Sequence, residues 1–228
     1  MYTVLSGDIV SSSSLGREDK EALERSLQLL LKELTTQFNT YGRIIKGDYL
    51  ELVVPNTASA LQVALAIKAF VKGIPVSVKD YKETKKRAKF FKEHGIRLAI
   101  GYGELSRYDP DKGIIDGEAI YLSGRLINSK STHGNERIVI KNTLFFASHN
   151  DELNFHITPI MELLDVLFAK ATSRQSEVLY LKLLQNDEKA IAARLKIDQS
   201  VVNRHSTASG WNAIETAVTY FASLMSRL

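Results

Sequence analysis

The chain has 228 residues, 44% of them hydrophobic, and carries 30 Lys and Arg against 26 Asp and Glu for a formal net charge of +4. That is enough for one large domain, or for a domain with a small partner, and the modest positive charge alone does not call for an anionic partner. The absence of cysteine excludes a disulfide framework and a thiolate metal site.

No apolar run approaches the ~20 residues of a membrane span, and the N-terminus lacks the layout of a signal peptide. The expectation is a cytoplasmic protein with no membrane partner.

Tyr2–Ile9 reads as a buried strand with a polar exit into Ser11–Ser14. A helix over Arg17–Thr40 follows. Its Leu23, Leu27, Leu30, Leu31, Leu34 and Phe38 form one apolar stripe, which marks core rather than a cofactor box. Arg43–Lys46 and Tyr49–Val54 read as a hairpin across Gly47-Asp48, with Leu50, Leu52 and Val54 on one face. Asn56 or Thr57 is expected to cap a helix that packs by Leu61, Ala64, Leu65, Val71 and the stem of Lys68.

The stretch Lys79–Lys92 holds seven basic residues and two acidic ones, as a solvated face or as a nucleic-acid patch. Ile96–Tyr102 is a further strand, where Gly101 and Gly103 allow a ligand or a second backbone to approach closely. A polar loop over Glu104–Gly113, a helix over Asp116–Ser129, and strands at Arg137–Lys141 and Asn154–Thr158 complete an α+β sheet with helices on a face.

From Pro159 the pattern is helical. The spacing gives a connecting helix over 159–171 and a helical domain over 172–228, after a first domain over 1–158. Thr172 and Gln175 have the spacing of a capping box. Val178, Leu179, Leu181 and Leu183 suit the next helix. In Asp187–Ser209, Ala190, Ile191 and Leu195 are expected to face inward, with a turn near Lys196–Asp198 and with Val201 and Val202 on the helix that follows. The small Ala192 and Ala193 would allow two helices to cross closely. That reads as a helix-turn-helix, closed by a last helix over Trp211–Leu228.

Gln199, Ser200, Asn203, Arg204 and His205 would then stand on the second helix. Gln and Asn match adenine edges, Arg matches guanine, and Ser and Arg can hold phosphates, so DNA is the expected partner. The other reading of the same residues is a helical bundle that only packs or dimerises.

Asp8 and Asp48 both fall at strand ends beside tight turns. Two such carboxylates suit a hard divalent cation, Mg²⁺ or Mn²⁺. Ser11, Ser12 and Ser13 supply hydroxyls and backbone N–H groups at a helix N-terminus, a seat for phosphate. Taken singly, each aspartate could equally be a turn residue.

GDIVSSSSL resembles the strand-one metal motif of class III nucleotidyl cyclases, and IIKGDYLELVV resembles their glycine–aspartate hairpin. IRLAIGYGEL, DGEAIYLSGRL and ERIVIKNTL resemble the strand, helix and strand that follow, so the likeness spans about Tyr2–Leu144. Over nearly the whole chain, the GDIV start, the DGEAIY…R helix and Gln199-Ser200-Val201 resemble the SatD family, a cyclase-fold domain followed by a helix-turn-helix.

This resemblance implies a ferredoxin-like, nucleotidyl-cyclase-like sheet. Asp8, Asp48 and the Ile9 carbonyl would hold metal, and Gly47 would lie against a nucleotide. Arg125 would stabilise transition-state charge, usually across a homodimer. The resemblance also places Ile44 and Ile114 at the base-reading positions and Tyr121 at the ribose-orienting one. Apolar residues cannot hydrogen-bond a purine edge, so the metal half matches and the base half departs.

The reading is therefore a DNA-binding regulator whose cyclase-like domain takes a metal and a nucleotide or related ligand. An active cyclase with an unusual base preference is the alternative, and a structural or partner-binding protein is the third reading.

Overall fold

The computed structural model describes residues 1–12, 15–45, 47–75, 85–129 and 140–228, with backbone alone at 85–88. It is an α+β structure: a mixed five-stranded sheet with helices, followed by an all-helical C-terminal region.

Strands β1 (Tyr2–Ile9), β2 (Tyr41–Ile45), β3 (Tyr49–Val54), β4 (Ile96–Gly103) and β7 (Leu144–Ala147) form the sheet in the order β2-β3-β1-β4-β7. All pairs are antiparallel except β4–β7. Strands β5 (Leu105–Asp109) and β6 (Ile114–Gly117) make a separate hairpin. The expected polar loop over Glu104–Gly113 thus holds a strand, and Asp116 belongs to β6 rather than to a helix start. Gly117, at φ 138°, breaks the strand before α4 (Glu118–Ser129).

Alternation sorts the sheet into two faces. Leu5, Ile9, Leu50, Leu52, Val54, Ile96, Leu98, Ile100 and Tyr102 belong to the main core, with α1 (Arg17–Phe38) and α2 (Ala60–Gly73). The leucine stripe of α1 is buried as its spacing requires, with Phe38 partly so. Asn56 does not cap α2 with its side chain, because a 3-10 turn at Thr57–Ser59 comes between.

The second face carries Val4, Ser6 and Asp8 of β1, Tyr49, Glu51 and Val53 of β3, and Arg97 and Ala99 of β4. Helix α4 crosses it so closely that a Cβ on Gly101 would stand 2.0 Å from the Ala119 carbonyl oxygen. The close approach expected at Gly101 is thus by a second backbone.

Helix α3 (Lys85–His94) precedes β4. Of the expected strand Arg137–Lys141, residues 137–139 lie outside the described residues and Ile140 and Lys141 are not in a strand; of the basic stretch 79–92, residues 79–84 lie outside the described residues and 85–92 belong to α3. The expected strand at Asn154–Thr158 is instead part of α5 (Asp151–Lys170), which Asn150 caps by accepting from the Leu153 amide. Leu153, Ile157, Met161, Leu164 and Phe168 recur at helical spacing and outweigh the local strand preference.

Helices α6 (Ser173–Leu183), α7 (Glu188–Leu195), α8 (Gln199–Ala208) and α9 (Trp211–Met225) follow. Thr172 and Gln175 form the capping box in full. These helices share the main core: Gln62 of α2 donates to the Leu183 carbonyl at 2.6 Å, and Phe146 of β7 meets Phe221 of α9 edge-on.

Between sheet and helices lies a fully buried ion pair. Lys68 Nζ sits 2.9 Å from Asp165 and donates to Thr143 Oγ1 and to the Ile96 carbonyl. The whole side chain is enclosed, not only the stem. Among the described residues no helix is long and apolar enough to cross a membrane.

Candidate functional site

Asp8 is the last polar residue of β1 and stands on the second face, across from Tyr49 on β3 and Arg97 on β4. Its Oδ2 accepts from Arg97 Nη1 at 3.0 Å. Arg97 is 2% exposed, and burial lowers its pKa while Asp8 opposes that shift. Asp8 is therefore half of a structural ion pair as well as a candidate ligand.

Asp48 follows Gly47, whose φ of 81° makes the tight turn. Its backbone oxygen accepts from the Ile9 amide at 3.1 Å, and its Oδ2 accepts from Ser12 Oγ at 2.7 Å. The two carboxylates thus sit at neighbouring strand ends, tied by one backbone bond. Mg²⁺ takes one or two carboxylates with added waters or phosphates, so two neighbouring aspartates are a donor set of the right chemistry for it. Among the described residues there is no cluster of three or more His, Asp or Glu that would hold a metal alone.

The serine loop is only partly arranged as a phosphate seat. Ser12 is buried and spends its hydroxyl on Asp48. Ser11 adopts a left-handed φ of 57°, and Ser13 and Lys46 lie outside the described residues. Glu18 and Asp19 occupy the first turn of α1, where their charge satisfies the helix dipole and opposes an incoming anion.

Helix α4 brings a third group to this face. Ser123 is hydrogen-bonded to Ser6 at 2.8 Å, and Gly124 lies over the Tyr49 hydroxyl. Arg125 comes next and is exposed, two residues from both Ser123 and Ile127 and so on the side of α4 turned away from the sheet. Tyr49 is half-buried, and burial, with Glu51 and Asp8 nearby, raises its pKa. Tyr121, 53% exposed, donates to Asp116, and that bond raises its phenol pKa.

Two positions differ from their expected setting. Ile44 is the register partner of Leu50, and both pack on the main core, so its side chain is on the opposite face from Asp8. On β2 the residues that share Asp8's face are Tyr41, Arg43 and Ile45, with Ile45 in the row of Tyr49 and Asp8; Arg43 pairs with Glu51 at 2.6 Å and donates to the Gly113 carbonyl. Ile114 lies on β6, directly after that carbonyl.

Sequence reading missed Arg97, Arg43 and Tyr49. The signal was present: in IRLAIGYG the arginine interrupts an apolar strand on the face opposite Ile96 and Leu98.

The helical region presents a second candidate surface. Helices α7 and α8 are joined by Lys196–Asp198, with Lys196 left-handed at φ 53°. Ile191 and Val202 are fully buried between them, while Ala190 and Ala193 are exposed, against expectation. Val202 and Ser206, a turn apart, take the inward face of α8. That leaves Gln199, Ser200, Asn203 and Arg204 exposed and His205 half-buried. Glu188 of α7 stands within hydrogen-bond reach of Lys182, Gln199 and Asn203, which lower its pKa.

In comparisons with family models, with curated proteins and with solved structures, nothing matches this chain.

Proposed function

We propose that this protein is a DNA-binding regulator: α7 and α8 act as a helix-turn-helix, and the sheet takes a divalent metal with a nucleotide or related ligand. The observation that carries it is the exposure of Gln199, Ser200, Asn203 and Arg204 together on the second helix of a tightly joined pair. Gln199 and Asn203 suit adenine edges, Arg204 suits guanine or phosphate, and Ser200 suits phosphate. The motifs that resemble the SatD family imply the same pairing of domains.

Glu188 competes with DNA for Gln199 and Asn203, and its charge repels phosphate. The test is anisotropy of labelled duplexes of varied sequence with the full chain at low salt. Binding should weaken in Arg204→Ala and strengthen in Glu188→Gln. Wild-type protein that leaves every duplex free contradicts the reading.

In the sheet, Asp8, Asp48 and the Ile9 carbonyl would hold Mg²⁺ or Mn²⁺, which supplies charge neutralisation for a triphosphate. The ligand would have to bind two arrangements of the chain with different affinity in order to control DNA binding.

A second reading is favoured by one observation, that Arg125 stands exposed on α4, the helix laid across the sheet face that holds Asp8. It is a nucleotidyl cyclase, in which the ribose 3′-oxygen attacks the α-phosphate, the α–β phosphoanhydride bond breaks, and pyrophosphate leaves. Arg125 would stabilise the developing charge, from the facing subunit of a homodimer. It predicts Mn²⁺-dependent pyrophosphate release that Asp48→Asn abolishes.

A further inference from the structure

Helix α5 has two apolar faces. Leu153, Ile157, Met161, Leu164 and Phe168 are buried in the core. On the outside, Phe155 is 76% exposed, Leu163 70% and Val166 50%, with Pro159 exposed between them. Steps of four, four and three residues put these side chains on one stripe along about three turns of helix. A contiguous apolar stripe of this kind marks an interaction surface, whereas single exposed apolar residues do not.

The ends of the stripe identify what covers it. Glu152 and Lys170 are both exposed and lie about five full turns apart, so both project on the stripe's side. If a second α5 lies antiparallel, with the two-fold axis near Met161, each Glu152 meets the other copy's Lys170. Phe155 then meets Val166, and Pro159 meets Leu163. A parallel pairing would instead set Glu152 on Glu152 and Lys170 on Lys170.

Antiparallel packing also opposes the two helix dipoles favourably. Glu162 does not obstruct the seam, because Asn142 holds it at the flank by a 3.0 Å hydrogen bond. The acidic Asp151, Glu152 and Glu162 around the stripe disfavour an anionic lipid surface, which amphipathic helices meet with Lys and Arg.

We infer that the outer face of α5 is the site at which a second copy of this chain docks, helix to antiparallel helix. This contact is made by α5, which packs on the main core and not on the sheet face that holds Asp8, and it stands whether or not the chain reads DNA.

The absence of cysteine makes a direct test simple. The full chain is expected to sediment as a dimer at tens of micromolar. Leu163→Glu, with an unchanged circular dichroism spectrum, is expected to raise the dimer dissociation constant about 100-fold, the effect of losing an interface hot spot. Lys170→Glu should weaken the dimer, and Glu152→Lys combined with Lys170→Glu should restore it. On mild oxidation the double variant Glu152→Cys/Lys170→Cys should form a covalent dimer, while Glu152→Cys alone should not.

A monomeric wild-type chain overturns the inference, whether the stripe is left bare or taken by a different partner. So does a dimer that ignores Leu163→Glu, or a disulfide that forms in Glu152→Cys alone. DNA binding that survives in a dissociated Leu163→Glu chain separates this contact from the DNA-reading proposal.

Discussion

Asp8 serves two ends at once, and that decides how it should be probed. Removing one partner of a buried ion pair leaves the other charge uncompensated, at a cost of about 3–5 kcal/mol. Asp8→Asn is therefore expected to destabilise the metal-free protein by about 3 kcal/mol, because Arg97 loses its carboxylate. Asp48→Asn breaks no ion pair among the described residues and keeps an oxygen that can accept from the Ser12 hydroxyl, so only the charge assistance of that bond is lost, an expected cost of about 1 kcal/mol or less. Urea denaturation of both variants in chelator measures the difference, and equal losses would show that Arg97 does not depend on Asp8. Asp48 is accordingly the cleaner substitution for testing metal chemistry.

Lys72 gives a pH signature. Burial, with Lys68 nearby, lowers its pKa from 10.5 to about 8. Its ammonium donates to the carbonyls of Glu93 and Ala169. Between pH 8 and 10.5 the native chain has released a proton that the unfolded chain still holds, so this group's contribution to stability rises with pH across that window. The difference in unfolding free energy between wild type and Lys72→Met should shift in favour of wild type from pH 8 to pH 10. A difference that stays flat contradicts the assignment.

Among the elements, α4 is placed by the absence of a side chain. Gly101→Ala would put a methyl carbon into the Ala119 carbonyl and push the helix that carries Ser123, Gly124 and Arg125 off the sheet. A loss of about 1–3 kcal/mol is expected, the usual cost of overpacking. Calorimetric melting of Gly101→Ala reads this directly, and an unchanged melting temperature would contradict it.

The same elements show how far sequence alone reaches. The α1 stripe and the Thr172–Gln175 capping box are legible because period and cap chemistry are local. Asn154–Thr158 reads as a strand because five residues in isolation carry propensity but not the period of the helix around them. Strand β5 reads as a loop because its polar residues face water and its pairing with β6 is not local. At the site, the glycine–aspartate turn is legible, and the Arg97–Asp8 pair is not. Only the antiparallel register of β1 and β4 reveals which residue lies opposite Asp8. Ile44 shows the same limit: one residue of register moves a side chain to the other face of the sheet.

At the scale of the molecule, one core runs from Leu5 in the first strand to Met225 in the last helix. Polar ties cross it as well. Glu33 of α1 accepts from Tyr180 of α6 at 2.7 Å and from Arg194 of α7 at 3.0 Å, so the helix that follows the serine loop is bonded to the helix pair proposed to read DNA. The sheet and the helical region should therefore unfold together. A single urea transition is expected, coincident by far-UV circular dichroism and by the fluorescence of Trp211, the chain's one tryptophan. Two separated transitions would contradict a shared core.

Whether α8 reads DNA is decided by selection from a random duplex library with the full chain. Wild-type protein is expected to enrich a defined motif, and Gln199→Ala or Asn203→Ala to relax preference at particular positions of it. Arg204→Ala should also lower affinity and reduce the salt dependence of binding. A library recovered without enrichment, or a motif bound equally well by all three variants, would contradict it.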